Sequence, residues 1–185
     1  NKIIPYHYDK YAQCPERYEM VTTNCLTGKA CYYEEKNNPQ RIIDIVRASS
    51  SLPFVCPIAY VDGIPMLDGG ITDSIPLLRA QNEGFTENNV VVLTRNRGYR
   101  KQIKGTKVPP FIYRKYPLLR EAINNRSKLY NEQLDLVERL EDEGRITVIR
   151  PQRPIEVDRI EKNIDKLTAL YEEGYQLADG IRFEL

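Results

Sequence analysis

The stretch Ala59-Tyr60-Val61-Asp62-Gly63-Ile64-Pro65-Met66-Leu67-Asp68-Gly69-Gly70-Ile71-Thr72-Asp73-Ser74-Ile75-Pro76-Leu77-Leu78 organises the rest of the chain. Two short apolar runs flank Asp62-Gly63, a dipeptide suited to a two-residue hairpin turn because its second position tolerates positive φ. The second run stops at Asp68-Gly69-Gly70. Two glycines at a strand end cost conformational entropy that a plain turn would not require, so they point to a sharp bend or a close approach by another segment. Asp68 is thereby placed at the end of a sheet, where α/β folds often carry their chemistry. The plainer reading of the tripeptide is a turn capped by its aspartate. A helix is expected over roughly Ser74 to Asn82, with Ser74 as N-cap and Pro76 in its first turn.

With 185 residues, 41% of them hydrophobic and 29% charged, the chain is ordinary globular material and fits one domain. A formal net charge of +1 gives no overall field for nucleic acid or an anionic membrane. The longest apolar run, Leu52 to Val61, is too short to span a membrane, and the N-terminus carries no signal-peptide pattern. Cys14, Cys25, Cys31 and Cys56 form no Cys-x-x-Cys pair and have one histidine, His7, for company, so no metal site is expected. Scattered thiols of this kind read as reduced and partly buried, in a cytoplasmic protein. The chain opens on Asn1 rather than methionine, which fits processing or a piece of something longer.

Working outward, residues 1–19 show no clean period and read as an irregular surface segment. Met20 to Leu26 and Lys29 to Glu34 read as paired strands around Thr27-Gly28. Asn38-Pro39 opens a helix, cap then proline, with Ile42, Ile43, Ile45 and Val46 on its apolar face. The β-branched run Asn89 to Thr94 predicts a strand buried on both faces. A basic loop follows, with Arg95, Arg97, Arg100, Lys101, Lys104 and Lys107. Pro117 to Gly144 keeps helical spacing through Leu118, Leu119, Ala122, Ile123, Leu129, Tyr130, Leu134, Val137 and Leu140, and Gly144 suits a C-terminal cap. Arg145 to Arg150 reads as a short strand, and roughly Asp158 to Asp179 as a last helix. Alternating helices and strands favour an α/β sheet with helices on its faces. Only two strands carry the signature of burial on both faces, so the sheet looks incomplete.

No glycine is followed two residues later by serine, so the chain has no Gly-x-Ser-x-Gly nucleophile elbow. It has no Gly-x-Gly dinucleotide fingerprint and no phosphate-binding loop, and no cofactor is expected. A Ser-His-Asp triad would need His7, far from Asp68 in sequence.

The order Ala48-Ser49-Ser50-Ser51-Leu52-Pro53-Phe54, hairpin, Tyr60-Val61-Asp62-Gly63, Leu67-Asp68-Gly69-Gly70, Ile75-Pro76 resembles the second half of patatin-like phospholipases. The valine-rich strand with Thr94-Arg95, the tyrosine-rich long helix and the segment from Arg150-Pro151 to Gly174-Tyr175 look like the bacterial branch of that family. The resemblance implies a three-layer α/β fold with a mainly parallel sheet, incomplete here because its N-terminal part is absent. It implies a single domain over 1–185: about 1–115 the remainder of the catalytic domain, about 116–185 a helical C-terminal extension with one short strand. It also implies a lipid acyl-ester hydrolase, phospholipase or esterase, working with a serine and an aspartate and no histidine. Asp68 matches the aspartate that takes the serine's proton and returns it to the leaving alcohol. Gly69 and Gly70 would form the supporting turn and clear space for the elbow strand. The serine and the glycine-rich oxyanion loop, whose donors contribute roughly 3–4 kcal/mol, are missing, so the chain is expected to be inactive alone.

Other residues read as structural. Ser49, Ser50 and Ser51 end a helix, and Asp73 sits beside Ser74 where an acidic residue suits a helix dipole. Phe54, Val55, Pro57 and Ile58 read as core packing before acyl-pocket lining. The basic loop reads as solvated, though it can also face a phosphate headgroup, giving peripheral membrane contact. The competing function is a non-catalytic α/β module that docks a partner through that loop; nucleic acid is not expected as a partner.

Overall fold

The computed structural model describes residues 6–103, 107–157 and 160–179. Along the chain run α1 (Tyr8–Gln13), β1 (Met20–Asn24), β2 (Ala30–Tyr33), α2 (Pro39–Ser49), β3 (Ala59–Val61) and β4 (Ile64–Asp68). A single 3₁₀ turn (Gly69–Ile71) follows, then α3 (Leu77–Asn82), β5 (Asn89–Val92), α4 (Pro117–Asp142), β6 (Ile146–Ile149) and α5 (Ile164–Asp179). The residues group into two compact units, Asn1–Ile75 with Gln102–Tyr130, and Pro76–Lys101 with Asn131–Leu185. The division falls inside α4.

In the first unit a four-stranded sheet has the order β2-β1-β4-β3, with every pair antiparallel. Asp62 (φ 51°) and Gly63 (φ 77°) both adopt left-handed backbone, so the β3–β4 hairpin closes through the two-residue turn that Asp-Gly favours. The Arg41 guanidinium forks onto the Asp62 carboxylate at 2.8–3.2 Å and reaches Glu35 at 2.9 Å, tying this turn to α2. Asn38 caps α2 by accepting the Arg41 N–H, and Pro39 occupies the first helical position.

Successive residues of β4 serve opposite faces of the sheet, as a strand's period of two requires. Met66 joins Met20, Ala59 and Val61 under Ile45 and Ala48 of α2. Leu67 joins Cys25, Ile71 and Leu119, with Ala122 and Ile123 of α4 packed against them. Burial pushes the Cys25 thiol up to about 12, so it packs as a small hydrophobe.

In the second unit β5 and β6 pair in parallel, Val91 opposite Val148. Gly144 (φ 68°) ends α4, its N–H bonding back to Glu141 and that of Arg145 to Leu140. Arg100 donates to Asp135 and Glu138, and Arg97 to Asp142, all from α4. Arg150, 7% exposed, pairs with Glu141.

Several expectations change. The mixed α/β character holds, but parallel pairing among the described residues is confined to β5 and β6; the larger sheet is antiparallel, with hairpins joining β1 to β2 and β3 to β4 and the inner pair β1–β4 also antiparallel. β5 is not buried on both faces: Val90 and Val92, on one face, are 42% and 70% exposed, whereas Val91 on the other is 8% exposed. Tyr8–Gln13 is helical rather than irregular, within a tyrosine cluster in which Tyr11 stands 6.1 Å from Tyr6 and 6.4 Å from Tyr18. The last helix begins at Ile164, and none of its residues is buried despite the apolar repeat. Asp158, its expected start, and Lys104 of the basic loop lie outside the described residues.

The Arg100 guanidinium, with smaller help from the Gly98 N–H and Arg150, holds the Glu138 carboxyl down at about 2 from its ordinary 4.5. A carboxylate with a depressed folded-state pKa stabilises fully above its unfolded pKa, and that contribution is lost as pH falls toward 2. Glu138→Gln should therefore flatten the acid limb of the stability curve by on the order of 1–2 kcal/mol. Urea midpoints measured between neutral pH and about pH 2.5 check this; identical acid limbs for the two proteins would contradict it.

Candidate active site

Asp68 ends β4, opposite Thr22 of β1. Its main chain is held on two sides. The Asp68 N–H donates to the Ser51 carbonyl at 2.9 Å, and the buried Thr23 hydroxyl donates to the Asp68 carbonyl at 2.8 Å. Thr23 also shares a 2.8 Å hydroxyl contact with Thr72, beyond the turn.

The carboxylate is half-buried, and its two oxygens differ. Oδ1 accepts the Gly70 N–H at 2.6 Å, capping the 3₁₀ turn. Oδ2 accepts no hydrogen bond from any described residue. The capping role expected of a plain turn is thus present, and it uses one oxygen only. A carboxylate oriented through one oxygen and open at the other can accept a proton from an incoming hydroxyl.

The two glycines do separate jobs. A Cβ on Gly69 would lie 2.4 Å from the Val21 carbonyl oxygen, so this glycine admits the backbone of β1. A Cβ on Gly70 would meet Asp68 Oδ1 at 3.0 Å, with Ser74 Oγ and an Arg126 Nη each at 3.6 Å. The Gly70 carbonyl accepts from Ser74 Oγ at 2.8 Å and from Arg126 Nε at 2.7 Å. Ser74 is therefore not a helix cap: α3 starts at Leu77, behind Pro76, with no side-chain cap. Asp73 is also displaced from any helix start, and its carboxylate accepts the Tyr32 hydroxyl at 2.6 Å.

Arg126 escaped the sequence reading although a signal existed. It falls in the apolar stripe of α4, four residues after Ala122 and seven after Leu119, where a charged residue is out of pattern. In the serine run, Ser50 Oγ donates to the Val46 carbonyl and Ser51 Oγ to that of Arg47, back-bonds to the helix they end. Phe54 and Val55 are not core residues, being 58% and 78% exposed on a bend where Phe54 takes φ 70° and its N–H donates to the Tyr113 hydroxyl. Beside Ser51 opens a cleft of about 640 Å³ bordered by Cys56, Pro57, Ile58 and Tyr60. In the basic loop, Arg97 and Arg100 are occupied by the α4 carboxylates, and Arg95 lies over the Tyr99 ring. No described helix is long and apolar enough to cross a membrane.

Residues 27–80 match the family model described as Patatin-like phospholipase, a segment that contains α2, the hairpin and Asp68-Gly69-Gly70. This match supports a place in that lipid-hydrolase family. Residues 116–181 match the model described as Domain of unknown function (DUF6363), a segment that contains α4 with Arg126. A search of the curated proteins finds no match.

Gly69 faces backbone and Gly70 faces side-chain ends, so their alanine variants should separate. Gly69→Ala is expected to cost about 3 kcal/mol, because β1 has to move, and Gly70→Ala less than about 1 kcal/mol. Chemical denaturation of the two variants measures the difference; equal losses would refute the close approach of β1.

Proposed function

We propose that Asp68 is the general base of a serine–aspartate dyad that hydrolyses lipid acyl esters. The serine and the oxyanion donors come from polypeptide outside this sequence, since no Gly-x-Ser-x-Gly occurs within it. The observation that carries the reading is the asymmetric carboxylate: Oδ1 fixed by the Gly70 N–H, Oδ2 open, at the end of a strand inside the family match.

In the reaction, the serine hydroxyl attacks the ester carbonyl while its proton passes to Asp68 Oδ2. Collapse of the tetrahedral adduct expels the alcohol, which takes that proton, and leaves an acyl-serine. Water then attacks the acyl group, giving its proton to Asp68, which returns it to the serine as the free acid departs. Every proton lent to the carboxylate is given back, so one aspartate serves both half-reactions without histidine. The cleft beside Ser51, lined by Pro57, Ile58 and Tyr60, suits the acyl chain of such a substrate. Four free cysteines support a cytoplasmic setting. In this reading the sheet continues in the missing part, and the chain alone is inactive. Internal pairing of Arg97 and Arg100 weighs against the docking-loop alternative.

In the intact polypeptide, Asp68→Asn should lower kcat on a p-nitrophenyl acyl ester by about 10³-fold or more while leaving thermal stability close to that of the parent. Turnover within a few-fold of the parent would reject the role of Asp68.

A further inference from the structure

We infer that Arg126 is a positioning residue for Asp68, so that α4 forms part of the catalytic support; this rests on the role proposed above for Asp68. The argument starts from Gly70. Glycine has the widest backbone freedom of any residue, so an N–H that must aim at a carboxylate from a glycine needs restraint on both sides of its Cα. On the amino side, the N–H donates to Asp68 Oδ1 at 2.6 Å. On the carboxyl side, the carbonyl is gripped by Ser74 Oγ at 2.8 Å and Arg126 Nε at 2.7 Å. Ser74 belongs to the same short loop and moves with it. Arg126 reaches in from a helix of 26 residues whose Leu119 is fully buried against Leu67 and Ile71. It therefore ties the turn to a rigid body.

The guanidinium also borders the space above the Gly70 Cα. An Nη lies 3.6 Å from the point where a Gly70 Cβ would stand, and Asp68 Oδ1 lies 3.0 Å from the same point. Neither Nη donates to any described residue. A half-buried cation on an otherwise apolar helix face, with one donor committed to the catalytic turn, has no packing reason to be arginine. Its place is explained by the turn it holds. The chemistry needs Oδ2 aimed at the serine in both half-reactions, and loosening Gly70 lets the carboxylate rotate away. The loss then falls on turnover rather than on substrate binding.

Two readouts separate this proposal from the hydrolase reading. In the ¹⁵N-labelled chain, Arg126→Ala should speed hydrogen exchange at the Gly70 amide about tenfold or more, leaving amides of β1 unchanged. Unchanged Gly70 exchange overturns the proposal whatever the enzyme does. In the intact enzyme, Arg126→Ala should lower kcat about 10- to 100-fold with KM within twofold, and added guanidinium at millimolar concentration should restore part of the rate. A rise in KM alone, or no rescue, overturns it as well. If the alanine variant does not fold, Arg126→Lys, which keeps the charge and stem but lacks the Nε–H, carries the same comparison. Absence of ester hydrolysis by the parent enzyme defeats the hydrolase reading, and Gly70 exchange then decides the tie to Arg126 by itself.

Discussion

A side chain at position 69 would collide with the backbone of Val21, and much of the first unit depends on that position being bare. Because Gly69 is bare, β4 runs beside β1 to its last residue and then turns at once, without a loop to carry it clear. The immediate turn brings the Gly70 N–H under the Asp68 carboxylate and drops Ile71 into the cluster formed with Leu67 and Leu119. One steric constraint thus fixes a strand end, a carboxylate orientation and part of the core.

Charge is distributed in two ways that serve different ends. The cationic loop after β5 is answered by acids of α4: Arg97 by Asp142, and Arg100 by Asp135 and Glu138. Asp62 and Glu35 do the same for Arg41. These groups are structural, each carboxylate meeting a guanidinium. Around the Asp-Gly-Gly turn the pattern differs. Asp68 meets a backbone N–H instead of a cation, and Arg126 meets a carbonyl instead of an acid. Among the described residues, Asp68 Oδ2 accepts no hydrogen bond and neither Arg126 Nη donates one. That difference in pairing is what the proposed catalytic role of Asp68 draws on.

What could be read from the sequence was local chemistry. Asp62-Gly63 announced the hairpin because few dipeptides accept positive φ at both positions, and Asn38-Pro39 and Gly144 marked helix ends for equally local reasons. The two hairpins made the β1–β2 and β3–β4 directions legible, but the pairing of β1 with β4, distant in sequence, was not, and the run Val90-Val91-Val92 gives no hint that one face stays open. Ser74 misled because a serine before a proline suits a helix cap, whereas here its hydroxyl is drawn to Gly70 across a single turn. Asp68 was legible as a candidate through its two glycines and its place in an order of motifs resembling that of patatin-like phospholipases. The difference between its two oxygens, and the arrival of Arg126 at the Gly70 carbonyl, follow from tertiary approach and have no trace in spacing beyond one charge on an apolar stripe.

The claim that matters most is where a reactive serine stands relative to Asp68 Oδ2. The direct measurement is a crystal structure of the intact polypeptide after reaction with a fluorophosphonate, which modifies an activated serine covalently. The account predicts a single phosphonylated serine whose Oγ lies within about 3.2 Å of Asp68 Oδ2, with Oδ1 still bound to the Gly70 N–H. A modified serine elsewhere, or an Asp68 carboxylate turned fully into the cap with both oxygens engaged, would contradict it.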